Sequence, residues 1–294
     1  MRHYVTVCDR AFIPRLKVLH ASMVRHCAPF TLNVLPWDDD VTAWAEGPNA
    51  GGVVAHPELA EAWMTCKLPG PPRTLHERMW SARGDLTALL LRGGVVDSVC
   101  QLDADLYFFS SPEPLFEQVE LHQAPMGLMP HYFACAAEGL PGITHESHAE
   151  LYGVHNSGSV IMRDAEIARR WADMTRAWCY FRAEDGKFAD QKFLEELSLI
   201  RGASILPPWA FPGPWTSKKF APSQAAAIGP DEPRHGPSVA GGTLVAWHFS
   251  SLRMSPGGEV TQYANPEYAL AEETIRVVYE PYVRELRAAM GESK

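Results

Sequence analysis

The sequence predicts an α/β fold, a sheet covered by helices. Short β-rich runs alternate with longer stretches whose apolar residues fall at helical spacing. The chain of 294 residues is 46% hydrophobic, enough for one large core or a core with a small appended lobe. It contains no internal repeat. In such folds, functional groups gather beyond the carboxyl ends of the strands.

The elements follow in order. Residues 4–8 (YVTVC) form a β-rich run, and Ile13, Leu16, Leu19 and Met23 place a helix over 13–26. Residues 30–35 are a second strand, ended by Pro36 and the acidic run 38–40, which leads into the polar stretch 46–52 and reads as a solvated turn. After a Pro-rich break at 68–72, Leu75, Met79, Ala82, Leu86, Leu89 and Leu90 trace one helical face, stopped by Gly93 and Gly94. Strands are expected at 98–102, 124–129 and 159–162, and helices at 165–181 and 191–200. The Pro/Gly/Ala-rich stretch 207–242 is too irregular for regular structure and too aromatic at its start for a plain linker. A last strand at 243–249 and a closing helix at 266–290 complete the reading.

Charge and composition exclude some functions. Lys plus Arg number 26 against 35 Asp plus Glu, a net charge of -9, so nucleic acid is not an expected partner. An anionic small molecule would need a local device, such as a metal ion or a few placed basic groups. The six cysteines (Cys8, Cys27, Cys66, Cys100, Cys135, Cys179) lack metal-ligand or redox spacing and read as thiols in a reducing compartment. The N-terminus meets charge too soon for a signal peptide, and no apolar run reaches membrane-spanning length, so a cytoplasmic location is expected.

The stretch VCQLDADLYFF sets Asp103 and Asp105 between apolar runs. In an extended segment, residues two apart face the same side, so both carboxylates would aim at one point beyond the strand. Two unpaired carboxylates there repel, and burial raises the cost. A divalent cation removes the conflict, and oxygen ligands favour Mg²⁺ or Mn²⁺. Asp38 and Asp40 show the same spacing after a strand, and only their polar context separates them from a metal site. His248 ends a distant apolar strand and could complete a carboxylate site, although alone it reads as a core histidine.

The order of YVTVCD, ARGDLTALLLRGG, CQLDADLYFFSSPEPLF, HNSGSVIMR, FADQKFLEEL, ILPPWAF and WHFSSLR resembles the GT-A fold glycosyltransferases. The similarity is greatest to the retaining, metal-dependent group with glycogenin and bacterial galactosyl- and glucosyltransferases. The resemblance spans Tyr4 to about Arg253. It implies a mixed, mainly parallel sheet in a single domain over 1–256, with a nucleotide-binding half to about 110, a sugar and acceptor half beyond it, and a C-terminal helical extension at 257–294. It also implies transfer from a nucleotide-diphosphate sugar, UDP-sugar first, to a sugar or other hydroxyl-bearing acceptor. A sugar-nucleotide hydrolase and a silent nucleotide-sugar binding protein are the alternatives.

Carried over by position, the resemblance implies that Thr6, Val7 and Asp9 cradle the base while Phe12 stacks on it, unless Phe12 is core. Arg83 reaches the donor sugar or phosphate, and Arg253 lies near a phosphate-contacting position. Asp103, Asp105 and His248 hold the cation, with Asp103 also on the donor. Asn156 and Ser157, with Gly158, line the donor sugar, or else form a plain turn. Asp190 and Gln191 flank the anomeric carbon, although Asp190 alone would read as a helix N-cap. Two departures stand out: Ser251 where the relatives carry Gly, and Arg83-Gly84 where they carry Lys-Pro. The aromatic stretches 131–148 and 209–215 are assigned to the acceptor, against packing as a lid.

Overall fold

The computed structural model describes residues 1–94, 96–133, 145–224, 236–268 and 270–291. Cys135, most of the 134–148 stretch and 225–235 of the irregular segment therefore lie outside the described residues.

The first half alternates as expected. β1 (Arg2–Cys8) leads through a 3₁₀ turn into α1 (Ile13–His26), and β2 (Phe30–Pro36) follows. The acidic run is not a turn. Asp38 accepts from the Val41 N–H at 3.1 Å and caps α2 (Asp39–Ala45), whose first turn carries Asp39 and Asp40. β3 (Val53–Ala55) and α3 (Pro57–Thr65) complete a stretch the sequence reading left without elements. α4 (Leu75–Arg92) opens with a capping box between Thr74 and Glu77. β4 (Val99–Leu102) is followed by β5 (Leu106–Phe108) and α5 (Glu113–Leu121).

In the second half come β6 (Met126–Pro130), α6 (His145–Tyr152) and β7 (His155–Met162). α7 (Ala165–Ala177) stops four residues before its expected end, and α8 (Phe193–Arg201) begins two residues late. β8 (Ser204–Ile205), β9 (Ser238–Val239) and β10 (Gly242–Thr243) are short. The last apolar run contributes only β11 (Ala246–His248). β12 (Arg253–Met254) and β13 (Val260–Gln262) form a ribbon. The closing helix starts at Glu272 rather than 266: α9 (Glu272–Thr274) continues through a π-helical turn, Ile275–Tyr279, into α10 (Glu280–Gly291).

Seven strands make one sheet in the order β3-β2-β1-β4-β7-β6-β8. β1, β2, β3 and β4 run parallel, whereas β7 is antiparallel to both neighbours, so the sheet is mixed and mainly parallel. One face packs on α1 and α5 through Tyr4, Leu19 and Phe116; the other packs on α3, α4 and α7 through Trp63, Leu86 and Trp171. Gly84 lets α4 and α7 touch, since a Cβ there would lie 3.1 Å from the Ala172 backbone. The C-terminal helix belongs to the body of the fold. Tyr282 stacks on Phe249 with centroids 3.7 Å apart, and Val278 and Leu286 share a cluster with Val18 and Trp247. No helix among the described residues is long and apolar enough to cross a membrane, and the described cysteines are free thiols.

Candidate active site

The sheet leaves the ends of β1 and β4 side by side, and a cavity of about 380 Å³ opens beyond them. Asp103 and Asp105 enter it from a turn, not from an extended strand. The Asp103 N–H donates to Gly158 O at 2.8 Å, and the Leu106 N–H returns to Asp103 O at 3.3 Å. After this turn β5 leaves the main sheet and pairs antiparallel with β11, with His248 opposite Leu106. That register brings the histidine to the aspartates: Nε2 lies 3.1 Å from Asp105 Oδ1 and 3.5 Å from Asp103 Oδ2.

Burial alone would lower the His248 pKa, but the Asp105 and Asp103 carboxylates outweigh it and hold the imidazole above its ordinary value. Burial likewise works to raise Asp105, and His248 reverses the sign, leaving the carboxyl below its usual range. One ligand atom from each of the three residues lies within 4.8 Å of the others. Two carboxylate oxygens and an imidazole nitrogen converging on one point suit a divalent cation. Gly158 is part of the arrangement, because a Cβ there would sit 2.5 Å from His248 Cε1.

Arg83, 2% exposed, reaches the same point from α4. Its guanidinium pairs with both Asp103 and Asp190, donates from Nε to Asp190 Oδ2 at 2.8 Å, and reaches Ser157 Oγ at 3.0 Å. Burial opposes its charge, yet the two carboxylates hold it more firmly protonated than a free arginine. Asp190 is not a helix cap, since α8 starts at Phe193 and Lys192 occupies its cap position. Its Oδ1 instead accepts from Ser157 Oγ at 3.0 Å, and its backbone O accepts from Trp171 Nε1 at 2.9 Å. Burial raises its carboxyl above the ordinary value despite Arg83.

The segment Asn156-Ser157-Gly158 lies within β7 rather than in a turn before a strand. Asn156 Oδ1 accepts from the Gly158 N–H at 2.8 Å. Gln191 Oε1 accepts from the Ser157 N–H at 3.2 Å, and Gln191 Nε2 donates to Tyr152 O at 2.6 Å. Asp190 and Gln191 are thus both tied to β7, and the residue before them, Ala189, takes a left-handed φ of 47°.

The remaining sequence-expected residues divide. Val7 and Phe12 line the cavity, and Phe12 also packs against the core with Arg15 4.7 Å above its ring. Thr6 is buried and Asp9 accepts from the Phe12 N–H at 3.2 Å, and neither lines the cavity. Arg253 is exposed on β12 and does not line the cavity. Ser251 does, with φ of 65°, the backbone region that favours glycine. Of the aromatic stretches, His131, Phe133 and Trp215 line the cavity, Trp215 meeting both His131 and His248 edge-on at 5.3 Å, whereas Trp209 packs beneath Gly242. Asn265, Glu267 and Tyr268 also reach the cavity, from beyond the part of the chain covered by the family resemblance. Nothing in their sequence context signals this.

No protein-family model matches the chain, and no curated protein does. Solved structures match over nearly its whole length. An active-site mutant of LgtC is 15% identical, with a TM-score of 0.54 over 98% of this chain and 95% of its own. The galactosyltransferase LgtC in complex with donor and acceptor sugar analogs is 13% identical, with a TM-score of 0.53 over 99% and 95%. The bifunctional glycosyltransferase WbbM is 12% identical, with a TM-score of 0.55 over 98% of this chain and 52% of its own. The architecture is therefore the GT-A glycosyltransferase fold.

Proposed function

We propose that the protein is a metal-dependent glycosyltransferase that moves a sugar from a nucleotide-diphosphate sugar, UDP-sugar first, to a hydroxyl acceptor with retention. The observation that carries this reading is one cavity joining the Asp103, Asp105 and His248 cluster to the Arg83–Asp190 pair. Asp103, Asp105 and His248 would hold the ion, and the imidazole among the ligands favours Mn²⁺ over Mg²⁺. When bound, the ion supplies positive charge against the donor diphosphate, which reconciles an acidic chain with an anionic substrate.

The chain's own residues complete the chemistry. Departure of the diphosphate leaves an oxocarbenium-like sugar and an increasingly anionic leaving group. Arg83 stabilises the negative charge, and the Asp190 carboxylate, held by Ser157, stabilises the positive one. Gln191 fixes β7 against the 189–192 segment, so that both groups meet the sugar without reorganising. Val7 and Phe12 offer an apolar edge for the base.

The test is thermal. UDP with Mn²⁺ raises Tm more than the sum of the shifts from each alone, because ion and diphosphate complete each other's coordination. Equal UDP shifts with and without metal would sink the reading.

A further inference from the structure

The cavity lining holds two unlike sets of groups. One is Asp103, Asp105, Asp190 and Arg83; the other is a chain of rings. His76 and Trp80 stand one turn apart on α4, Trp80 meets Phe181 at 5.6 Å, Phe181 meets Phe188 at 5.4 Å, and Phe188 meets Tyr152 at 4.9 Å. All five line the cavity. Phe181 is 68% exposed, an unfavourable place for a bare ring unless something covers it.

The exposure is built rather than incidental. The Phe181 N–H donates to Glu77 Oε1 at 2.8 Å, and Glu77 Oε2 accepts from the Thr74 N–H at 2.7 Å in the capping box of α4. The segment carrying Phe181 and Phe188 is folded back on itself by an antiparallel Glu184–Lys187 bridge and by the Ala189 N–H to Tyr180 O bond of 3.0 Å. The segment carrying both rings is thus anchored by its backbone.

We infer that this rim is the acceptor subsite and takes a hydroxyl compound bearing a planar aromatic group, an aryl glycoside or a phenol. The inference rests on the transferase reading for its direction but not for the binding itself. A bare sugar can lay only its C–H face on Phe181 and Phe188 and keeps its hydroxyls in water, whereas an aryl ring, apolar on both faces, covers more of ring surfaces that otherwise meet water.

The full chain is titrated calorimetrically with p-nitrophenyl β-galactoside, p-nitrophenyl β-glucoside and methyl β-galactoside, with and without UDP and Mn²⁺. The aryl galactoside is expected to bind about tenfold more tightly than the methyl galactoside, and Trp80→Ala and Phe181→Ala each remove most of that advantage. Both variants keep the wild-type melting temperature to within a few degrees and the wild-type response to UDP with Mn²⁺. Equal affinity for aryl and methyl galactosides, absence of binding by both aryl glycosides, or an aryl advantage that survives both substitutions overturns the inference. Aryl preference in a protein that ignores UDP and Mn²⁺ would instead remove the donor reading and leave the rim as an aryl site.

Discussion

Two pairs of aspartates leave parallel strands at the same end of the sheet, and their surroundings differ. Asp38 and Asp40 follow β2; Asp103 and Asp105 follow β4; β1 lies between them. Burial separates only the second members: the Asp38 side chain is 17% exposed and that of Asp103 27%, but Asp40 is 62% exposed and Asp105 14%. Partners separate both. Asp38 spends its oxygens on backbone, the Arg10 N–H at 2.6 Å and the Val41 N–H at 3.1 Å, while Arg10 meets Asp40 at 3.5 Å on the surface. Asp103 and Asp105 face side chains, His248 and Arg83, whose charge can be shared with a ligand. The lesson is that an Asp-x-Asp spacing acquires chemistry only when distant chain segments bring partners that are not already committed to the backbone.

Substitutions can break this contrast, and the largest effect is expected at Asp105. Asp105→Asn should lower transfer by about a thousandfold or more at ordinary metal concentration and remove the Mn²⁺-dependent part of the UDP thermal shift, with circular dichroism unchanged. Retained activity would put the site on the wrong strand. Next comes Asp190→Asn, which preserves shape and removes charge. Its kcat should fall by about a hundredfold, while Tm changes little; an active variant would reduce Asp190 to a structural partner of Arg83.

Gly158→Ala sharpens the geometry. The added methyl pushes on the His248 ring and should weaken Mn²⁺ binding by about tenfold, measured by titrating the UDP shift against metal. A separate effect, on stability rather than on transfer, is expected in pH. Burial holds His131 down to about 3 from 6.5, so the unfolded chain binds a proton that the fold refuses. Stability from this group is complete above pH 6.5 and falls by about 1.4 kcal/mol per pH unit on acidification toward the folded value. His131→Gln should flatten the acid limb of a denaturation-versus-pH curve. Finally, Asp38→Asn should change transfer by less than about twofold, because Asn caps a helix as well as Asp and the Arg10 pair is exposed. If its rate loss exceeds that of Asp105→Asn, the comparison has been read backwards.

Much of the fold was legible before any coordinates. The helical face beginning at Leu75 ends at Arg92 beside the two glycines that were expected to stop it, and β1, α1, β2 and β4 lie within a residue or two of their sequence-derived bounds. The elements that were missed are short or begin with proline: Pro57 starts α3, and Pro114 lies in the first turn of α5. Local reading takes proline as a break, whereas at a helix start its missing N–H costs nothing.

The sequence by itself determined the alternation of strands and helices, and the Asp-x-Asp between apolar runs, because these depend on periodicity and local burial. His248 was a candidate from the end of its apolar strand, and the motif order added Asp190 and Gln191 to the same site. Tertiary structure decided the partners. Asp190 pairs with Arg83 while Lys192 takes the cap position of α8; His248 met Asp105 through the β5–β11 register; and Arg253 was left on the surface. The rim of Trp80, Phe181, Phe188 and Tyr152 comes from three separate segments, none of which carries a pattern of its own. Which rings share a cavity is set by how helices pack on a sheet, a long-range property that spacing along the chain does not encode.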